Sequence, residues 1–322
     1  MTRTCLIIAP LAFHAVHAAV ATELRTRGYQ VDLLNDEYPA NLFGKALGRF
    51  GLAPLRRLTL RGLQKRLGQR RFDLVLIFKG RGIGPAAAAY LKSRADRVIG
   101  YNFDSFRLNP SPLDWHDLVD AFATFDPADA RADDLALIPL FSAAHPDPDI
   151  PPAYDLSVLF RVHSQRLAYL AQVLDAVPGL TSRLYLYTPL ILLPFHLALS
   201  PRLTVRFWPH IHTRPLPHTR AMQWMQASAV TLDYAHPGQS GLTIRCFEAQ
   251  SLGVALLTNN PELARSGLFA PRSHGFFPLN GTAAQLRIEF AKLVGKRPQR
   301  RLRSVAEFVD DVLAVAPKGR SN

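Results

Sequence analysis

Short apolar runs alternate with stretches of helical spacing along almost the whole chain, a pattern that predicts an α/β protein. Thr4–Ala9 (TCLIIA) is an uninterrupted apolar run of the kind a strand buried on both faces of a parallel sheet requires. Helical spacing follows through His17–Arg27 and stops at Gly28, a natural C-terminal cap. Further strands are expected at Tyr29–Leu34, Leu74–Phe78, Arg97–Tyr101, Ala121–Thr124 and Ala136–Pro139, with helices at Pro85–Ser93 and Leu113–Val119. The run His145–Pro152 (HPDPDIPP) is incompatible with regular structure and reads as a domain linker. The alternation then restarts, with strands expected at Tyr154–Phe160, Arg183–Tyr187, Thr204–Trp208, Ala229–Leu232 and Ala255–Thr258. Helices fit Ser164–Val177, Pro217–Ala227, Thr243–Leu252 and Val305–Val315, the last with Val305, Phe308, Val309, Val312 and Leu313 on one face. The expectation is two Rossmann-like, doubly wound domains, residues 1–150 and 151–322, facing a central ligand cleft. The final helix is expected to pack back on the first domain.

A length of 322 residues suits two domains of about 150 residues. Hydrophobic content of 48% against 20% charged residues describes a chain with a real core, leaving only the tail Pro317–Asn322 as a candidate for disorder. Cys5 and Cys246 lie in apolar runs in opposite halves, too few and too far apart for a disulfide framework. They are expected to be reduced core residues of a cytosolic protein. His14 and His17 interrupt the apolar run after Arg3, so a secretory signal is not expected. Leu184–Pro201 carries no formal charge, but Pro189, Pro194 and His196 argue against a transmembrane helix there.

The formal net charge is +13, and much of it falls between Lys45 and Arg71, where nine Lys and Arg residues occur without an acid. Leucines and Phe50 interleave with them, which leaves two readings open. One is a basic amphipathic helix lying on an anionic membrane; the other is a helix packed on the first domain with its cations in solvent. Nucleic acid is not an expected partner, because the chain lacks zinc spacing, an aromatic ribonucleoprotein motif and a helix-turn-helix pattern.

The most informative stretch is Ala229–Asn260 (AVTLDYAHPGQSGLTIRCFEAQSLGVALLTNN), which reads as strand, loop, helix, strand. A loop of glycines and small polar residues before a helix start presents free amide hydrogens and the positive end of the helix dipole, which together suit a phosphate. Ser240 or Thr243 is an ordinary N-cap. Arg245 in the first turn is poised against a diphosphate, and Glu248 one turn on can accept from sugar or ribose hydroxyls. The plain alternative is a turn followed by an i,i+3 ion pair.

Here SGLTIRCFEAQSLGVALLTNN resembles the donor-binding segment of GT-B glycosyltransferases, in particular bacterial enzymes of capsular and lipopolysaccharide biosynthesis. NDEYPANLFGKAL, FKGRGIGP, YNFDSFRLNP, FATFDPADA and IPLFSAA resemble that family's first domain in order, and YDLSVLFRVHSQRLAYL the opening of its second. The resemblance implies a GT-B fold and a nucleotide-sugar co-substrate. It also implies a surface-glycan or lipid-linked acceptor, and a cytoplasmic enzyme peripheral to the inner membrane face. Donor contacts would come from Ser240, Gly241, Leu242, Thr243, Arg245 and Glu248, with His236, His163 and Lys79 joining them. The family's retaining members carry a second glutamate eight residues before the first; Ser240 stands there, so the resemblance does not fix the stereochemistry. A non-catalytic scaffold of this fold, in envelope or spore-coat assembly, is the alternative.

For a general base, His14 falls in the loop after the first strand, where some inverting enzymes place a catalytic histidine. Asp104 follows a later strand as a base, an acceptor contact or a plain turn residue, and Asp36 and Glu37 are weaker candidates of the same kind. His210, His212 and His218 cluster in a proline-rich loop without the carboxylate or thiolate company of a metal site, so no metal or other cofactor is expected.

Overall fold

The computed structural model describes residues 2–11, 14–39, 52–295 and 297–317. Lys45 and Arg49 of the basic block, and the side chain of His14, lie outside the described residues. The chain forms two compact units: Met1–Leu140 with Gly238–Gly241 and Ser304–Asn322, and Phe141–Pro237 with Leu242–Arg303.

In the first unit, six strands make one sheet: β1 (Arg3–Ala9), β2 (Tyr29–Asn35), β3 (Phe72–Phe78), β4 (Ala95–Asn102), β5 (Ala121–Thr124) and β6 (Ala136–Leu137). Their order is β2-β1-β3-β4-β5-β6, parallel throughout. The crossovers carry α1 (His14–Thr26), α2 (Leu52–Leu67), α3 (Pro85–Lys92) and α4 (Pro127–Ala132). The apolar runs of β1 and β3 are buried on both faces, as their continuous hydrophobicity requires. Gly28 has φ +84°, the left-handed geometry that ends α1 at little cost without a Cβ.

α2 settles the two readings of the basic block for the residues it covers. Leu55, Thr59, Leu63 and Leu67 recur every four residues and all are buried, so its apolar stripe is spent on the core of this unit. Arg56 pairs with Asp114, Arg70 with Asp32 and Arg71 with Asp96, while Arg57, Arg61 and Lys65 face solvent. This is the packed helix, not a helix with a free apolar face.

In the second unit, β7 (Tyr154–Arg161), β8 (Ser182–Tyr187), β9 (Ile211–His212), β10 (Ser228–Leu232), β11 (Ala255–Thr258) and β12 (His274–Phe276) form a parallel sheet ordered β12-β11-β10-β7-β8-β9. Its helices are α5 (Arg166–Ala176), α6 (Leu193–Leu199), α7 (Pro201–Arg206), α8 (His218–Gln226), α9 (Ile244–Leu252), α10 (Glu262–Arg265) and α11 (Ala283–Leu293). The core joins Leu156, Val158, Val230, Leu232 and Leu257 of the strands to Leu170 and Val173 of α5 and Phe290 of α11.

The last helix, α12 (Val305–Ala314), belongs to the first unit. Ser304 and Glu307 close a capping box at its start. Phe308, fully buried, meets Tyr101 edge-on at 5.0 Å and stacks on Phe78 at 6.5 Å.

Two expectations fail. Thr204–Trp208 is not a strand, because Pro201 at the first helical position starts α7 and the Thr204 hydroxyl donates to the His196 carbonyl at 3.1 Å. Leu113–Val119 is not an α-helix but a pair of short 3₁₀ turns, interrupted where Trp115 leaves helical geometry at φ −141°. Among the described residues no helix is long and apolar enough to cross a membrane.

Candidate functional site

In the second sheet β7 and β10 are neighbours, and the connections after them run toward opposite edges. The carboxyl ends of these two strands are therefore the topological switch point, where open α/β sheets bind ligands. The end of β7 brings Arg161 there, the loop after it His163 and the start of α5 Arg166, while α9 brings Arg245 and Glu248. Asp233, buried just beyond β10, accepts from the Thr243 hydroxyl at 2.7 Å and from Thr258 at 2.9 Å. Thr243 occupies the N-cap of α9, but its hydroxyl is turned to Asp233 and does not cap the helix.

Cations dominate around this end of the sheet. The Arg166 guanidinium lies over the rings of Phe160 and Tyr234, 5.4 and 5.6 Å from their centroids. Burial lowers its pKa, Asp233 opposes that shift, and the nearby positive charges of Arg245 and Arg161 add to it. Although His163 reaches the surface, desolvation in its crowded loop, reinforced by Arg166 and Arg161, lowers its pKa to about 3. It is a neutral ring at physiological pH, with Nδ1 3.0 Å from the Ser164 hydroxyl. His236 Nδ1 donates to the Pro237 carbonyl at 2.8 Å.

Glu248 is a second buried carboxylate of the site, 3% exposed. His218 Nε2 donates to its Oε1 at 2.9 Å, and Arg245 Nη1 lies 3.1 Å from its Oε2. That ion pair is close but badly aligned: among the described residues neither Arg245 Nη1 nor Glu248 Oε2 has a partner at hydrogen-bond geometry. Arg245 is held by its other nitrogen, Nη2, on the Leu159 carbonyl at 3.2 Å. The result is a buried acceptor beside a buried donor, each with directed hydrogen-bonding capacity in hand.

The loop before α9 requires a correction. Ser240 and Gly241, expected to offer free amides to a phosphate, belong to the first unit and already hold an anion. The Ser240 and Gly241 amides donate to Asp126 Oδ2 at 2.8 and 3.0 Å, and the Ser240 hydroxyl donates to Oδ1. The same Oδ1 caps α4, accepting from Ala128 at 2.9 Å and Asp129 at 3.4 Å. Gly241 is needed for this approach, since a Cβ there would stand 2.6 Å from the Phe125 ring. The anion nest is real, and its occupant is a side chain of the protein. Leu242, next in the chain, is buried.

At the carboxyl ends of the first sheet, Lys79 and Asp104 form an ion pair at 2.6 Å. Lys79 sits in the left-handed region at φ +65°, uncommon for a residue with a side chain. Asp36 is buried beside them and accepts from the Arg81 amide at 3.3 Å; burial, with Glu37 adding, raises its pKa to about 7. Arg81 pairs with Glu37 at 3.4 Å. His14 opens α1, and its side chain lies outside the described residues.

Arg245 and Glu248 are neighbours on one helix face, the i,i+3 arrangement that their spacing allows. Asp126 is not among the sequence candidates, although an Asp-Pro pair opening a helix is a legible signal. His218, in sequence a metal-ligand candidate alone, is a partner of Glu248. Among the described residues no group of three or more His, Cys, Asp or Glu side chains is placed to hold a metal.

Two wholly parallel six-stranded sheets in one chain, each flanked by its crossover helices, define the GT-B architecture. Sucrose-phosphate synthase from Thermosynechococcus elongatus is similar over 98% of this chain and 95% of its own, at TM-score 0.61 and 9% identity. AviGT4, a glycosyltransferase involved in avilamycin A biosynthesis, is similar over 98% and 93%, at TM-score 0.56 and 17% identity. WaaB, a lipopolysaccharide outer core galactosyltransferase, is similar over 97% and 95%, at TM-score 0.55 and 10% identity. At these identities the likeness is one of fold. No protein-family model and no curated protein sequence matches the chain.

Proposed function

We propose that this chain transfers a sugar from a nucleotide-sugar donor to a surface-glycan or lipid-linked acceptor. The observation that carries the reading is the Arg245–Glu248 pair at the switch point of the second sheet, with its unused donor and acceptor capacity. A ribose or sugar hydroxyl pair can donate to Glu248 Oε2, and a diphosphate oxygen can accept from Arg245 Nη1. Arg166 and Arg161 add positive charge where a leaving diphosphate would develop negative charge. His163, Thr243 and His236 line the same loops as donor-contact candidates, with Ser240, Gly241 and Lys79 contributing only where their present partners give way. Asp104 and His14 are the candidates for activating the acceptor hydroxyl. The resemblance of the sequence to capsular and lipopolysaccharide enzymes, and the shared fold with WaaB, support a cell-envelope acceptor and work at the cytoplasmic face of a membrane. The solvent-facing cations of α2 would add electrostatic attraction to that face.

The test is a panel of uridine and guanosine diphosphate sugars read by thermal shift and calorimetry. A stabilising donor is expected, with binding weakened at least tenfold by Glu248→Ala. Absence of binding across the panel overturns the reading. Donor binding without hydrolysis or transfer to a lipid-linked acceptor would instead favour the non-catalytic scaffold.

A further inference from the structure

Between β8 and β9 the second unit carries a segment most of whose apolar side chains its core does not bury. The 3₁₀ turn Leu190–Leu192 and α6 (Leu193–Leu199, LPFHLAL) contain no buried residue. α7 buries Thr204. Leu190, Ile191, Phe195, Leu199, Val205 and Trp208 are each more than half exposed. A cluster of this kind within nineteen residues is far denser than the scattered surface leucines of an ordinary monomer. The segment is anchored nonetheless: Phe207 is part of the core and Leu203 packs against it, so the apolar side chains are presented from a fixed base.

We propose that the 190–208 segment is a membrane-docking surface whose apolar side chains enter the interface of an anionic bilayer. Charge complementarity identifies the occupant. From Ala176 to Leu232 the chain has no acidic residue, while Arg183, Arg202, Arg206, Arg214 and Arg220 fall within that span. Arg206 is committed to Asp175 and Arg183 to the Trp224 ring, leaving Arg202, Arg214 and Arg220 exposed for lipid headgroups. α6 carries no Lys, Arg, Asp or Glu, and desolvation holds its His196 below the ordinary imidazole pKa. Trp208 at the end of the segment is the residue type that settles at the headgroup boundary. A second copy of the chain would bring an equally acid-free, arginine-bearing face against this one, and like charge would oppose the pairing. The surface is independent of the basic block in the first unit, whose apolar stripe is buried, and it does not rest on the transferase reading.

The full chain is mixed with vesicles of phosphatidylcholine alone or with an equal share of phosphatidylglycerol, and the bound fraction is read by flotation. Binding is expected to the anionic vesicles and to fall at least tenfold for Ile191→Ser/Phe195→Ser/Leu199→Ser. It should also fall severalfold for Arg202→Glu/Arg214→Glu. Both variants change exposed side chains, so melting temperature and nucleotide-sugar response should not move. An Arg61→Glu/Lys65→Glu variant in α2 should keep most of the binding. The proposal is overturned if the serine variant binds as wild type, or if only the α2 variant loses binding. It is also overturned if light scattering without lipid shows a dimer that the serine variant dissolves.

Discussion

Asp36 and Asp126 show how differently a buried carboxylate can be treated. Asp126 is surrounded by donors and organises both the cap of α4 and the loop at Ser240. Asp126→Ala leaves buried amides unpaired and removes a cap, so a loss of about 2–4 kcal/mol is expected in urea unfolding. Asp36 instead accepts from the Arg81 amide at a long 3.3 Å, and burial raises its pKa from 3.8 to about 7. The folded state then binds the extra proton between these values, so Asp36 favours folding below about pH 4 and that contribution is lost as pH rises through about 7. Asp36→Asn should stabilise the protein by up to about 4 kcal/mol at pH 8, with the gain vanishing toward pH 4. A pH series of unfolding midpoints checks this, and a gain of equal size at both ends would contradict it. At this scale the sequence revealed positions better than partners. The anion nest at Ser240–Gly241 was legible from its glycines, but its occupant lies 114 residues away in the chain, beyond the reach of local pattern.

Strands buried on both faces were the most legible elements, because continuous apolar runs bounded by polar turns have few other uses. Ala121–Thr124 and Ala255–Thr258 lie where the pattern put them. Patterning misled where proline chemistry competed with β-branched composition, as at Thr204–Trp208, and it left α6 unassigned because an apolar segment with no buried face has no period to detect. Helix α9 shows the opposite case, ending cleanly where the sequence places Gly253. That residue has φ +67°, and a Cβ would stand 2.9 Å from Arg300 Cγ and 3.2 Å from the Pro298 carbonyl. Gly253→Ala is expected to cost about 1–2 kcal/mol through backbone strain alone. Because α9 carries Arg245 and Glu248, donor affinity should fall with it, whereas an exposed substitution such as Arg287→Ala on α11 should change neither. Thermal melts with and without donor would distinguish the two.

The first unit draws on chain from both sides of the second: Gly238–Gly241 and the final helix both belong to it. The stretch from Ser304 to Pro317 returns to the first unit, where Phe308 packs against both Phe78 and Tyr101. Arg97 adds to this by donating to the carbonyls of Leu313 and Val315 at 2.8 and 2.5 Å. The core of the first sheet is therefore completed by residues about two hundred positions from β4 in sequence, a long closure that stabilises only once both ends are folded. The chain's tryptophans allow this to be measured unit by unit, since Trp115 lies in the first unit and Trp208 and Trp224 in the second. With Trp208 and Trp224 replaced by Phe, fluorescence reports the first unit; with Trp115 replaced by Phe, it reports the second. Phe308→Ala removes a fully buried ring and should destabilise the transition seen by Trp115 by about 3–5 kcal/mol. The transition seen by the other two should stay within about 0.5 kcal/mol of its parent. Equal shifts in both would mean that the units unfold as one cooperative body, and that the second sheet depends on the returning helix as much as the first.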